Sequence, residues 1–395
     1  MRLKGIAAVA ALAVALSGCS TVKGWFGGKK NEAKKATEPA ELVDFTPSVT
    51  VERLWTANAG DGGKHLGLRQ GPVVADGKVF AAAVTDGVRA FDLHTGKLVW
   101  QYQQDRKSRM RLSGGPGVGG GLVVVGSLDG DVVALDAETG TEQWRATVPN
   151  EIIVPPLVAQ NTVYVRSNDG RVTAFDAVTG NRLWFNAQEM PSLTVRGNAS
   201  LTQGPGFIFV GNDDGTLAAL TMQDGRPLWE LPIAMPEGRT ELERMVDIDS
   251  APVLEGATIY VSSYGNQTLA LDGPSGRPLW QSARGGIGGL GASSASLLLS
   301  DNGGSVYALD KINGSATWSQ PALARRLPTG PAVQGDYAVV GDFDGYVHWL
   351  KLENGEVAAR ARAGGKPIQA QPVVADGILI VQNIEGRLTA FQLKY

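Results

Sequence analysis

The chain has 395 residues, of which 52 are glycine and 20 proline, with 19% charged and 43% hydrophobic side chains and a formal net charge of −3. That mixture excludes a coiled coil or helical bundle and fits many short strands joined by tight turns. No long basic run lies in the body of the chain, so nucleic-acid binding through a clustered basic face is excluded, and three histidines at unrelated places (His65, His94, His348) do not make a zinc site.

The first element in chain order is an export signal. Met1–Lys4 carries two cations, and Ile6–Leu16 is an apolar run of eleven residues, too short to span a bilayer. Leu16-Ser17-Gly18-Cys19 then matches the bacterial lipobox, in which small side chains admit the signal peptidase and the cysteine thiol receives a diacylglyceryl group. Cys19 is the one cysteine of the chain, so no internal disulfide is expected in an oxidising compartment. Serine rather than aspartate at position 20 predicts sorting to the outer membrane, with the protein lipid-anchored on the periplasmic side. Residues 1–18 therefore read as a lipoprotein signal peptide, 19–47 as the lipidated cysteine with a flexible tether, and 48–395 as the folded domain. The tether is polar and without period, and its Trp25-Phe26 pair reads as linker.

The folded part is built on an internal repeat. An eleven-residue frame recurs, Ala-apolar-Asp, three residues, Gly, three residues, Trp: Ala90 to Trp100, Ala134 to Trp144, Ala174 to Trp184, Ala219 to Trp229, Ala270 to Trp280 and Ala308 to Trp318, with Thr221 in place of aspartate in the fourth. The aspartate accepts hydrogen bonds from the turn it opens, and the glycine supplies a positive φ. The alanine lets a neighbouring sheet approach, and the tryptophan fills the space between sheets. A second turn lies four residues before most of these alanine positions, as at Asp129-Gly130, Asp169-Gly170 and Asp344-Gly345. Short apolar runs between the turns make about four strands per repeat.

This pattern predicts an all-β fold, an eight-bladed β-propeller of four-stranded antiparallel blades. Seven copies are complete. The eighth begins at Gln371 and stops at Tyr395 without its tryptophan strand, while Val51–Trp55 is a tryptophan strand with no repeat before it. The N-terminal strand is therefore expected to join the C-terminal blade and close the ring. The seventh copy departs from the frame, with Trp349 where alanine is expected and Ala359 where tryptophan is expected. Two readings stand: a volume exchange within one interblade layer, or a blade that diverges or faces a partner.

Chemical motifs are few. Gly115–Gly120 and Gly286–Gly291 match a dinucleotide pattern in letters, but each precedes the first strand of a repeat rather than a helix. Asp213-Asp214 and Asp342-Phe343-Asp344 fall in register with hairpin turns, so calcium loops are not expected there. The frame resembles the pyrroloquinoline-quinone-type repeat, whose family includes eight-bladed alcohol and glucose dehydrogenases. Those enzymes hold a quinone and a metal ion in the central funnel, and the alcohol dehydrogenases add a vicinal cysteine pair. One cysteine cannot make that pair, and no insertion is large enough to wall a cofactor pocket. No catalytic residue, cofactor or metal ligand is expected, since function has to be argued from a site and not from a fold.

Function then falls to the interblade loops. The loop after Trp184 carries Met190-Pro191-Ser192-Leu193-Thr194-Val195-Arg196-Gly197, and the longest one, after Trp229, carries Glu237, Arg239, Glu241, Glu243, Arg244, Asp247 and Asp249. On the residues alone the pair reads equally as a protein-docking surface or as solvated loops. Lipobox, tether, repeats and these loop sequences together resemble the BamB family of outer-membrane protein assembly factors, lipoproteins of the β-barrel assembly machinery. The resemblance implies a non-enzymatic scaffold that helps present unfolded outer-membrane β-barrel proteins to the insertase. It also implies docking on a periplasmic POTRA domain of the barrel subunit BamA through Leu193, Val195, Arg196, Asp247 and Asp249. Val195 stands where that family's pattern has leucine. The remaining alternative is a periplasmic quinoprotein-like oxidoreductase or small-ligand binder that uses the funnel.

Overall fold

Alternating apolar residues between closely spaced turns leave each repeat one stable arrangement, a four-stranded meander. The structure, a computed structural model, describes residues 38–394 apart from 64–65, 104–109, 192, 195–198 and 241–242. It contains eight four-stranded antiparallel sheets in sequence order around a ring. The blades run Val73–Tyr102, Gly117–Thr147, Leu157–Ala187, Thr202–Pro232, Val253–Ser282, Leu290–Gln320 and Ala332–Arg362, with the eighth formed by Val373–Lys394 and Thr50–Asn58. The predicted all-β propeller is what forms, and among the described residues there is no helix. Cys19, the signal run and the Trp25-Phe26 pair lie outside the described residues. The compact unit that holds the propeller starts at Leu42.

The repeat frame acts as a latch between blades. Each frame tryptophan sits on an outer strand, directly opposite the frame alanine of its own blade, as in Ala90↔Trp100 and Ala134↔Trp144. Its indole Nε1 donates to a main-chain carbonyl of the next blade: Trp100 to Ala137 at 2.9 Å, Trp144 to Ala177 at 2.8 Å, Trp318 to Leu352 at 2.8 Å. The indole face then covers the frame glycine of that next blade. At Gly140, with φ of 72°, an added Cβ would lie 2.5 Å from the Trp100 ring. Alanine there must adopt a strained backbone and push the indole off its shelf, which is expected to cost about 2–4 kcal/mol. Urea unfolding of Gly140→Ala, read by tryptophan fluorescence, measures it; a midpoint equal to the parent's would show that the shelf can give way.

The frame aspartates do what their position requires. Asp92 Oδ1 accepts from Thr95 N and Oγ1, and Asp136 accepts from Thr139 in the same way. In the fourth blade the roles are exchanged, since Thr221 Oγ1 donates to Asp224 and the turn keeps a carboxylate. A bulge follows the frame alanine in blades one to six, as between Ala134 and Leu135, and twists the outer strand toward its neighbour.

The eighth blade closes the ring as predicted. Thr50–Asn58 pairs antiparallel with Arg387–Lys394 from Thr50↔Lys394 to Asn58↔Arg387. Its Trp55 Nε1 donates to Leu93 O at 2.8 Å and its ring covers Gly96, so the latch passes across the junction of the two chain ends.

The seventh blade shows why its frame is inverted. Trp349 and Ala359 are directly opposite one another, so alanine and tryptophan have changed places across one strand pair. A tryptophan at 359 would have to latch on the turn between strands three and four of blade eight. That turn does not exist, because the fourth strand comes from the other end of the chain. Trp349 is instead fully buried against Phe391, and its Nε1 donates to Gln334 Oε1 at 2.8 Å. The Gln334 amide in turn donates to Gly377 O and Phe391 O of blade eight. Trp349 and Ala359 lie in one buried layer with Phe391, the arrangement a volume exchange requires.

Candidate docking site

The two long loops meet where blades three, four and five adjoin. Leu193 is 46% exposed, and Met190 and Met235 are exposed apolar side chains on the same two loops. Val195 and Arg196 lie outside the described residues. Asp247 and Asp249 are 0% and 6% exposed, so their carboxylates are part of the interior and not of a charged rim. Between them Ile248 is buried against Ala199, at the end of the first loop, and both press on Gly211 of blade four. Main-chain bonds fix the second loop: Tyr264 N donates to Asp247 O at 2.8 Å and Ile248 N to Asn212 O at 3.2 Å.

Arg166 and Asp213 tie this junction together, and the sequence reading did not single out either role. Arg166, 1% exposed at the end of its strand in blade three, reaches into blade four. Its Nη1 donates to Gly211 O and to Ala199 O, and its Nη2 lies 3.3 Å from Asp213 Oδ1. One side chain thus holds the end of the first loop and meets the carboxylate that faces the second. The turn role expected of the Asp213-Asp214 pair belongs to Asp214 alone, which accepts from Thr216 N and Oγ1. The signal available in the sequence was an arginine in the register of a buried strand residue, since a lone buried guanidinium requires an acid.

Asp213, Asp247 and Asp249 each place a carboxylate oxygen within 4.8 Å of the others. That spacing is one a divalent cation could use, and the cations that stand beside it on the chain itself are guanidinium groups. Arg166 contacts Asp213, and Arg69, which donates to Ile287 O, acts on Asp249 through its charge. Among the described residues, Arg166 and Arg69 are the guanidiniums that act on Asp213 and Asp249 in this dry place. Burial is the larger cause, and the Asp247 carboxylate the second, of the rise of Asp249 to about 7. Burial likewise pushes Asp213 up, against the pull of Arg166. Among the described residues neither oxygen of Asp249 has a hydrogen-bond partner, so no donor stabilises its charged form.

A pH dependence follows. Between its unfolded value of 3.8 and about 7, the folded chain keeps a proton on Asp249 that the unfolded chain has released. Stability from this group is therefore present below pH 4 and lost as pH rises through 7, by up to about 4 kcal/mol at 1.36 kcal/mol per unit. Asp249→Asn removes that loss. Its unfolding free energy is expected to change less between pH 5 and pH 8 than the parent's, and parallel pH profiles for the two proteins would show that Asp249 ionises without penalty.

A cleft of about 650 Å³ opens beside the second loop, lined by Leu231, Met235, Glu243, Met245 and Val246 among others. The letter matches to a dinucleotide motif are inner strands. An added Cβ on Gly117 or Gly291 would strike the carbonyl of Pro156 or Pro331 on the next blade, so these glycines serve close packing around the central channel.

Eight four-stranded blades latched by a tryptophan repeat define a repeat β-propeller, and Met190, Leu193 and Met235 are exposed apolar side chains on its two long interblade loops. The family model described as outer membrane protein assembly factor BamB matches residues 36–112, 105–320 and 302–394. The outer membrane protein assembly factor BamB of Xanthomonas campestris pv. campestris is 62% identical over 99% of this chain and 98% of its own length. This chain belongs to the BamB family. The crystal structure of BamB from Moraxella catarrhalis, 25% identical, superposes with a TM-score of 0.79 over 87% of this chain and all of that one. The quinohemoprotein alcohol dehydrogenase of Comamonas testosteroni, 16% identical, shares the fold alone, with a TM-score of 0.68 over 89% of this chain and 78% of its own.

Proposed function

We propose that this protein is a non-enzymatic scaffold of outer-membrane protein assembly, held on the periplasmic side of the outer membrane by a lipid on Cys19. In this reading it docks on a POTRA domain of BamA and assists the delivery and insertion of outer-membrane β-barrel proteins. The observation that carries it is the junction described above, where an exposed Leu193 sits on a loop whose end is anchored by Arg166 to the same buried cluster that holds the next loop. Membership of a family of assembly factors supports the role. Leu193, Val195 and Arg196 then supply the contact, and Asp247 and Asp249 act from below as positioning residues that fix the loops.

Co-purification with the barrel subunit tests the assignment. Leu193→Ala, Arg196→Ala and Asp247→Ala are each expected to weaken binding at least about tenfold, the effect of losing one anchor of an interface. Asp247→Asn, which keeps the shape and removes the charge, separates loop positioning from gross misfolding. Full binding by both Arg196→Ala and Asp247→Ala would overturn the site. Quinone and metal analysis of the purified protein addresses the enzymatic alternative, because a stoichiometric cofactor would overturn the scaffold reading.

A further inference from the structure

The outer rim between blades seven and eight carries a second, unrelated feature. Three arginines, Arg53, Arg362 and Arg387, line an open cavity of about 480 Å³ with Gly364, Gly365 and Thr389. They come from three strands: Thr50–Asn58, the end of Val357–Arg362, and the start of Arg387–Lys394. Arg53 donates to the Arg362 carbonyl, which draws the first two together, and an added Cβ on Gly364 would lie 3.0 Å from the Arg387 side chain.

Charge compensation here is poor. Arg362 lies 3.4 Å from Asp344, but that carboxylate is shared with Arg326 at 3.6 Å. Glu385 is paired with Lys366 at 3.2 Å. Arg53 and Arg387 have no acidic partner within salt-bridge distance among the described residues. Like charges gathered around one cavity repel, and a site that keeps them together gains most from an anion. Two further groups face the same need. Gly364 and Gly365 have φ of 102° and 69°, and neither amide makes a hydrogen bond among the described residues. Amides left unengaged beside guanidinium groups are further donors for an anion.

We infer that the Arg53–Arg362–Arg387 cavity is a binding site for a phosphate group, with the Gly364 and Gly365 amides as its neutral donors. Arginine forks match phosphate oxygens in pairs, and three of them with backbone amides suit its tetrahedral shape better than a planar carboxylate. The phosphate could be carried by a lipid headgroup or be free in solution.

The test uses the full chain in neutral detergent micelles. Inorganic phosphate is titrated at constant ionic strength against chloride, and amide exchange is followed at residues 364–366. Phosphatidylglycerol or phosphatidylcholine is then added to the micelles. Phosphate is expected to slow exchange saturably, with affinity reduced at least about fivefold in Arg53→Gln and in Arg387→Gln, and unchanged in Lys97→Gln. Thermal melting at the parent's temperature shows that the variants are folded. Displacement of phosphate by phosphatidylglycerol and not by phosphatidylcholine identifies a headgroup site, and no displacement by either identifies a site for soluble phosphate. Absence of a saturable effect, or equal affinity in parent and arginine variants, overturns the inference.

Discussion

Deleting Thr50–Asn58 is expected to abolish cooperative folding of the propeller, and Trp55→Ala to cost about 3–5 kcal/mol by itself. The strand does two things at once. It covers the edge of Arg387–Lys394 along eight residues, from Thr50↔Lys394 to Asn58↔Arg387. It also carries the Trp55 indole that covers Gly96 and donates to Leu93 O in blade one. Removing it leaves an open strand edge on one side of the gap and an empty tryptophan shelf on the other. An exposed edge of that length is a template for pairing with another chain, so the truncated protein is expected to associate. A synthetic peptide spanning residues 48–60 should restore a single cooperative urea transition when added in trans. If the truncated chain melts as a monomer at the parent's midpoint, the ring does not depend on this closure.

The ring was legible because its information is repeated and local. Six copies of one eleven-residue frame fixed turn, strand and outer position, and a tryptophan strand without a repeat predicted the closure at Trp55. What the frame could not show is what long side chains do between blades. Arg166 reads as one more residue of an alternating strand, yet its guanidinium lies beside Asp213, 47 residues on, in the next blade. Asp213 and Asp214 are equivalent as letters, and only the direction of each side chain separates a turn residue from a buried ion. The residues proposed for docking come from the family resemblance, and the burial of two of them was not foreseeable from it: Asp247 and Asp249 alternate with Ile248 in a polar loop, and that alternation gives no sign that all three face inward. Position 42 onward shows the same limit. Leu42 packs beside Leu350 and Trp318, and Ser48 N donates to Ala358 O, in a stretch whose composition is that of a tether.

Trp349→Ala is expected to be the most destabilising single substitution on the closing side of the ring, at about 3–5 kcal/mol. It empties a fully buried indole volume against Phe391 and leaves Gln334 Oε1 without its donor. That loss reaches blade eight, because the same Gln334 amide holds Gly377 O and Phe391 O. Ala359→Trp is expected to cost about 1–3 kcal/mol by overfilling the layer. Ala359 is buried, and the Ser48 N to Ala358 O bond lays the N-terminal segment beside it. In the double variant the new indole can enter the volume that Trp349 vacates, since the two positions are directly opposite. The combined cost should therefore fall short of the sum by about 1 kcal/mol or more, a coupling of the size seen between residues in contact. It should not fall to zero. Blade eight has no turn glycine for an indole at 359 to cover and no carbonyl placed to receive its Nε1, so the inverted pair is the arrangement that fits where the chain begins and ends. Urea unfolding of the parent, both single variants and the double measures the cycle. Additive costs would show that Trp349 and Ala359 do not share one volume, and a double variant as stable as the parent would show that the missing turn is not the cause of the inversion.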